Sequence, residues 1–175
     1  MRPRKPSSQL IALLLACMGM LCGAVGCAGY HMGNQYLYRN DIRSVHVAMF
    51  ETDSYRRFLG QRLTEAVVKQ VESQTPLTIS DPRLADSFIQ GRILRDTKRV
   101  LSETRDDDPR ALQYGWQLEV TWVDRAGVPL MQRQLLRITE DIDFIPEGGQ
   151  SLATAELEMV ERLARQIVGQ MELAW

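Results

Sequence analysis

The stretch Trp116-Gln117-Leu118-Glu119-Val120-Thr121-Trp122 carries the clearest strand pattern in this chain. Large apolar side chains stand at every second position, and polar side chains stand between them. Because successive residues of a β-strand point to opposite faces of a sheet, the stretch predicts a strand with one buried face. Asp124-Arg125-Ala126-Gly127 follows and supplies a turn with a glycine suited to positive φ. Apolar residues then return on one face of a second strand, which predicts an antiparallel hairpin: Val128, Leu130, Leu136 and Ile138.

Three further extended segments precede this hairpin. Ile42 to Phe50 alternates and predicts a half-buried first strand, and Leu77 to Ser80 can form a short one. Ser87 to Leu101 is the longest candidate, and its far half is too charged for a central strand, so we expect that half at an edge or beyond the sheet. Simple alternation places Ile89, Gly91 and Ile93 on one face of it and Arg92, Asp96 and Lys98 on the other. Ser102 to Arg110 is predicted to be a solvated loop.

Two amphipathic helices complete the pattern. The first is expected over residues 54–73, capped by Asp53 or Ser54 and ending before Pro76. Its apolar stripe is Tyr55, Phe58, Leu59, Leu63, Ala66, Val67 and Val71. The second begins after the predicted N-cap Ser151, with the stripe Leu152, Ala155, Met159, Leu163, Ile167 and Met171. The predicted fold class is therefore α+β, a small mixed sheet of about four strands with both helices packed on one face.

The N-terminus is typical of an exported lipoprotein. Residues 1–26 combine a positive start with an apolar run and predict a signal peptide. Cys27, directly after the small residue Gly26, is the predicted lipidation site, carrying a covalent diacylglyceryl and N-acyl lipid. Cleavage before Cys17 would leave an apolar run of only about seven residues, and Cys22 follows the large residue Leu21. The alternatives are an uncleaved apolar anchor and ordinary secretion. Residues 27–41 are then a lipidated tether, and residues 42–175 a single domain of two layers.

Charge and motifs argue against several functional classes. The signal contains three of the 21 basic residues, so the predicted mature chain has 18 basic and 22 acidic residues, a net charge of −4 that disfavours nucleic-acid binding. His31 and His46 have no companion at a metal-ligand spacing, and Asp106-Asp107-Asp108 lacks the spaced ligands of a calcium loop. No nucleophile elbow or phosphate-binding loop is present either. We therefore expect no enzymatic activity, no metal and no cofactor apart from the lipid.

A run of basic residues is the candidate binding site: Arg92, Arg95, Lys98 and Arg99. On a regular strand, Arg92 and Lys98 would share one face, and Arg95 and Arg99 would share the other. Such pairs suit phosphate or carboxylate groups, because a guanidinium can bind them with two parallel hydrogen bonds. The alternative is a charged edge strand that discourages aggregation.

Several segments together resemble the LPS-assembly lipoprotein family, LptE. They are Cys27-Ala28-Gly29-Tyr30-His31-Met32-Gly33, the strand Ile42 to Glu51, the helix segment Gly60 to Val67 with its Leu-Thr-Glu-Ala, and Ala85-Asp86 leading into Ile89 to Ile93. The resemblance implies an outer-membrane lipoprotein that is anchored by its lipid in the inner leaflet, on the periplasmic side. It further implies that the domain plugs the large β-barrel LptD, helps it assemble and assists lipopolysaccharide insertion into the outer leaflet. The four basic residues would then contact lipopolysaccharide phosphates or barrel carboxylates.

Two other readings stay open at this point. The strand-then-helix opening, with Val47-Ala48-Met49-Phe50 at the strand end, is also similar to the CsgG and LpoB group. That similarity implies a periplasmic lipoprotein adaptor that activates a peptidoglycan synthase or serves a secretion complex. The group usually continues with further helix and strand units, whereas this chain continues with a long hairpin and one helix. A small-ligand binder is the third reading and has no sequence feature of its own.

Overall fold

The computed structural model describes residues 37–56, 58–105, 108–131 and 133–172. The predicted signal peptide and Cys27 lie outside these residues, as does most of the tether. Within the described part, the elements follow in the order β1 (Ser44–Val47), β2 (Glu51–Thr52), α1 (Leu59–Gln74), β3 (Thr78–Ile79), β4 (Ser87–Glu103), β5 (Pro109–Asp124), β6 (Leu136–Phe144) and α2 (Leu152–Gly169). A single turn of 3-10 helix, Pro146–Gly148, precedes α2.

These strands form one mixed sheet in the order β3-β1-β4-β5-β6, and β2 also pairs with β4. The pairs among β1, β2, β3 and β4 are parallel, and the pairs β4–β5 and β5–β6 are antiparallel. The α+β class is confirmed, but the described sheet has six strands rather than about four. One reason is that β2 lies just beyond the predicted first strand, which was expected to end at Phe50 and whose described part is β1. Between them the Phe50 amide donates to the Thr64 hydroxyl of α1 instead of a neighbouring strand.

The two long central strands, β4 and β5, pair from Ser87 and Asp124 out to Glu103 and Pro109. The prediction of a loop from Ser102 to Arg110 is therefore wrong at its two ends, where Ser102–Glu103 and Pro109–Arg110 belong to β4 and β5. The Thr104 amide extends the hairpin with a bond to the Asp108 carbonyl, at 2.9 Å. Polar composition misled the prediction here, because a paired strand that projects into solvent can keep its side chains hydrated while its backbone bonds are satisfied.

The hairpin after Trp122 forms, with Gly127 at φ 82° as expected. Its return arm differs from the prediction. Pro129 makes only an isolated bridge to Val123, and β6 starts at Leu136. The Leu130 amide still donates to the Trp122 carbonyl at 2.8 Å, and the pairing with β5 is then interrupted until β6 begins. Val128, predicted to be on the apolar face, is 55% exposed.

Both helices pack on the same face of the sheet and enclose the core, as predicted. The stripe of α2 is buried at Ala155, Met159, Leu163, Ile167 and Met171, and Leu152 packs beside them. The Ser151 hydroxyl accepts a bond from the Thr154 amide at 3.1 Å, which confirms the N-cap.

The first helix starts later than predicted. The N-cap of α1 is Phe58, which makes no side-chain capping bond. Ser54 instead closes a local turn, with its hydroxyl accepting from the Arg56 amide at 3.1 Å. Tyr55 and Phe58 are consequently exposed rather than part of the core. Serine favours such turns as readily as helix caps, so its position alone does not fix where a helix begins.

Candidate functional site

The basic residues of β4 are distributed over the sheet by an irregularity that alternation did not predict. The register of β4 against β5 shifts between Ile93 and Arg95, so that Leu94 is an extra residue, a β-bulge. Before the bulge Arg92 pairs with Glu119, and after it Arg95 pairs with Gln117. Because side chains alternate between the two faces, one extra residue moves every following side chain to the face opposite the one that simple alternation predicts.

The outer face of the sheet, meaning the face away from α1 and α2, therefore carries Arg92, Arg95 and Arg99 together. Lys98 pairs with the buried Tyr114 and lies on the helix side. The prediction that Arg92 and Lys98 share a face is wrong, and so is the grouping of Arg92 with Asp96. The expected pairing of Arg95 with Arg99 on one face is correct.

Arg92 is already neutralised within the fold. Its guanidinium bonds the Glu51 carboxylate and lies 3.8 Å from the Asp53 carboxylate. The hydrogen bond to Glu51, on β2, raises the pKa of Arg92 above its ordinary value. Arg92 therefore ties β2 to β4 and is a poor candidate for binding a ligand.

Arg95 and Arg99, which we call the arginine pair, are exposed and form no ion pair with any residue that the structure describes. They lie four residues apart on one face of β4, a Cα separation of about 13 Å along an extended strand. Both line a shallow depression of about 120 Å³. Its other walls come from β4, β5 and β6 and include Thr97, Gly115, Gln117, Thr139 and Asp141.

The opposite wall of this depression is acidic. Asp141 lies over Gly115, where an added Cβ would come within 2.1 Å of its Oδ1 atom. Asp143 follows on the same face of β6 and accepts a bond from the Gln113 amide group at 3.1 Å. The outer face thus has the arginine pair along β4 and two carboxylates along β6, where Arg137 is already paired with Glu119. The arginine pair can bind phosphate or carboxylate groups that approach from the β4 side, whereas the β6 side repels them.

A second charged cluster lies on the helix side, where Lys98 also points. Arg56 donates to the Tyr114 hydroxyl at 3.2 Å and to the Glu156 carboxylate at 3.1 Å, and its Nε lies 3.7 Å from Asp96. Burial raises the pKa of the Tyr114 hydroxyl. No sequence motif links Arg56 to Glu156, which lies a hundred residues away. Because each charge in the cluster has a partner, it joins the loop before α1 to α2 and leaves little free charge for a ligand.

The described residues contain no cluster of metal ligands. Across 37–56, 58–105, 108–131 and 133–172, no three His, Cys, Asp or Glu side chains come together in a way that could hold a metal ion. His46 is engaged by the Ser80 carbonyl at 3.1 Å and by the edge of the Phe88 ring. In the same part of the chain, no helix is both long and apolar enough to cross a membrane.

Comparison with known proteins identifies a family. The family model LptE, described as lipopolysaccharide-assembly, matches residues 42–171, a span that contains all six strands and both helices described above. No curated protein matches the chain at a significant level.

Solved structures match this chain at low sequence identity. An uncharacterized lipoprotein B from Nitrosomonas europaea is 16% identical, with 79% of this chain and 90% of that chain covered and a TM-score of 0.46. The rare lipoprotein B from Shewanella oneidensis is 17% identical, with coverages of 74% and 93% and a TM-score of 0.46. A PelC dodecamer subunit from Paraburkholderia phytofirmans is 9% identical, with coverages of 78% and 93% and a TM-score of 0.51, a likeness of fold alone.

Proposed function

We propose that this chain, which belongs to the LptE lipopolysaccharide-assembly family, is an outer-membrane lipoprotein that plugs and helps assemble an LptD-type β-barrel and assists lipopolysaccharide insertion into the outer leaflet. The observation that carries the proposal is the family match over residues 42–171, which spans the whole sheet and both helices. The protein acts by binding and positioning its partners, with no catalytic step of its own.

The anchor in this proposal is the lipid on Cys27. The first strand, β1, begins at Ser44, 17 residues after Cys27, so the lipid would keep the domain close to the periplasmic surface of the membrane. Two acyl chains already give stable attachment, and the predicted lipid on Cys27 has three. In this proposal the barrel contact therefore positions the domain rather than holding it at the membrane.

The surface of the domain suits the inside of a barrel. The lumen of an outer-membrane barrel is polar, because only its outward face meets lipid. The outer face of this sheet is likewise polar, with alternating exposed residues along β6: Arg137, Thr139, Asp141 and Asp143. A domain with such a polar face can lie against the polar, water-filled lumen of a barrel.

The arginine pair is the proposed contact for anions. Arg95 and Arg99 would bind lipopolysaccharide phosphates or carboxylates of the barrel wall, since both are exposed and uncompensated by described residues. Arg92 contributes indirectly by holding β2 against β4. Lys98 would meet the partner from the helix side of the same strand.

The first experiment is affinity isolation of the tagged, lipidated protein from detergent-solubilised envelopes, with washes at high salt. The expected result is a large outer-membrane barrel in near-equal amount. Recovery of a peptidoglycan synthase or a secretion channel without a barrel would replace this proposal with the adaptor function.

The role of the arginine pair is tested by the double charge reversal Arg95→Glu with Arg99→Glu. A control with the same change of net charge is Lys69→Glu with Arg165→Glu, both exposed on the helices that cover the other face. We expect the first variant to lose binding to purified lipopolysaccharide or to the barrel, and the control to retain both. Equal retention by the two variants would remove the arginine pair from the proposal.

A further inference from the structure

One edge of β4 is left open over part of its length. On that side β1 pairs with β4 at Ser87 to Ile89, and β2 pairs with it at Arg92 and Ile93. The last bond of this ladder runs from the Asp53 amide to the Ile93 carbonyl, at 3.0 Å. Beyond it, no described residue pairs with this side of β4, whereas the other side stays paired with β5 as far as Glu103.

The open part is regular enough to accept a partner. From Arg95 to Val100 the pairing with β5 runs without a register shift, and the next irregularity comes only after Val100. We call Arg95–Val100 the free β4 edge. Its six residues span about 20 Å and present a row of backbone donors and acceptors directed away from β5. Proteins usually shorten, cover or distort such an edge, because it is a template for another strand.

Side chains beside the free β4 edge define what could pair with it. Arg95 and Arg99 lie on the outer face, Lys98 lies on the helix side, and all three are exposed. Val100, at the end of the edge, leaves 47% of its surface exposed. A strand added here would meet the arginine pair on the outer face. On the helix side it would meet Lys98, an apolar contact at one end, and Asp96, whose carboxylate already lies 3.7 Å from Arg56. Opposite charges on neighbouring strands stabilise a sheet, and like charges destabilise it.

We propose that the free β4 edge binds an extended, acidic segment of a protein partner by β-strand addition. Backbone hydrogen bonds hold the segment in the sheet, and carboxylates on alternate residues meet the arginine pair, with a further one near Lys98. A second copy of this chain is a poor occupant, since pairing two free β4 edges would bring arginine and lysine side chains together. The inference goes beyond the proposed function, because it specifies backbone pairing and requires neither the lipid nor lipopolysaccharide.

The test uses the full lipidated protein in detergent and a synthetic peptide of about seven residues, alternating glutamate with valine, which can span the edge. Binding is followed by titration, and amide hydrogen exchange is measured at Arg95–Val100. The matched control peptide has the same sequence with two backbone amides methylated, so that its charge is kept and its strand pairing is blocked. We expect the parent peptide to slow exchange along the free β4 edge and to bind about ten-fold more tightly than the control, the effect of losing two hydrogen bonds.

A charge-reversed pair of reagents completes the test. The variant Arg95→Glu with Arg99→Glu should bind a lysine–valine peptide better than the glutamate–valine peptide, with exchange still slowed along the same edge. Equal binding of the methylated and parent peptides would show attraction by charge alone and overturn strand addition. Failure of the parent peptide to bind, or binding without slower exchange at Arg95–Val100, would overturn it as well.

Discussion

Gly60 and the main-chain carbonyl of Phe50 approach so closely that a Cβ atom on residue 60 would lie 2.0 Å from the Phe50 oxygen. Thr64, one turn further along α1, reinforces the contact: its hydroxyl accepts from the Phe50 amide at 3.0 Å and donates to the Gly60 carbonyl at 2.8 Å. The end of the first strand segment is thus fixed against the first turn of α1. This junction also places β2 beside β4, because Glu51 follows Phe50 directly.

Replacing a glycine by alanine usually stabilises a helix, but Gly60→Ala should destabilise the domain. In an open helix position, alanine is favoured over glycine by about 1 kcal/mol. At Gly60 the added methyl group meets backbone, which cannot rotate away, so we expect a net loss of about 1–3 kcal/mol in the free energy of unfolding. Urea denaturation at neutral pH measures it.

The control for this change is Gly169→Ala at the end of α2, where an added Cβ meets no atom within 4 Å. That variant should be neutral or more stable by up to about 1 kcal/mol. If Gly60→Ala also left the unfolding midpoint unchanged or raised it, the close approach to Phe50 would not be a feature of the protein in solution.

Asp86 joins the start of β1 to the start of β4 and makes the stability of the domain dependent on pH. Its carboxylate accepts bonds from the Ser44 hydroxyl at 2.8 Å, the Ser44 amide at 3.1 Å and the Arg43 amide at 3.3 Å. These bonds, led by the one from the Ser44 hydroxyl, hold the pKa of Asp86 below its ordinary value. A carboxyl whose pKa is lowered by folding stabilises the fold above its unfolded pKa and loses that effect as the pH falls through its folded pKa.

We therefore expect Asp86→Asn to lower the Tm at pH 7. The difference in Tm between the variant and the unaltered protein should become smaller below about pH 4, where the Asp86 carboxyl becomes protonated. Thermal unfolding at a series of pH values measures the difference. Asp143→Asn, a change of the same type on the exposed outer face, should alter the Tm little at pH 7. A difference for Asp86→Asn that stayed constant down to pH 2 would contradict the assigned hydrogen bonds.

Glu156 is the most enclosed member of the charged cluster on the helix side. Its side chain is 10% exposed and bonds both Arg56 and Arg62, whose side chains are 40% and 55% exposed. Removing one partner of a fully buried pair costs about 3–5 kcal/mol, but both arginines here can turn to water. We expect Glu156→Gln to cost about 1–2 kcal/mol, since solvent screens part of the lost attraction.

The matched control is Glu158→Gln, which breaks the exposed pair with Arg162 one turn away on the same helix. An exposed pair of this spacing contributes about 0.5 kcal/mol or less. Equal effects of the two changes, measured by denaturation at the same ionic strength, would show that burial does not distinguish Glu156.

The parts of the fold that were predicted correctly are those with a long, uninterrupted period. β5 alternates without a break from Leu112 to Trp122, and the stripe of α2 repeats over five turns, so local pattern and tertiary burial agree. The family resemblance rested on several short segments instead, and the match over residues 42–171 confirms it.

The parts that were missed depend on contacts distant in sequence. Nothing around Leu94 marks it as an extra residue, yet this one bulge determines which basic residues share a face. The two residues of β2 are too few to show a period, and their place beside β4 follows from the contact of Phe50 with Gly60 and Thr64 of α1. The cluster of Arg56 with Glu156 is likewise visible only after α2 folds back over the sheet.

Ser151 shows how a cap that was predicted from sequence can be tested against a serine that has no such role. The Ser151 hydroxyl satisfies the Thr154 amide at the start of α2, a donor with no partner within the helix. Ser151→Ala should therefore lower the free energy of unfolding by about 1 kcal/mol, a typical effect for the loss of an N-cap.

Ser73→Ala is the control, because Ser73 lies inside α1 with an exposed hydroxyl bonded only to the Gln70 carbonyl, at 3.2 Å. Alanine is the better helix former at that position, so the control should be neutral or more stable by about 0.5 kcal/mol. Both free energies of unfolding are measured in one denaturation series. A loss for Ser151→Ala without a loss for Ser73→Ala would establish Ser151 as the N-cap of α2, and equal changes for the two substitutions would contradict it.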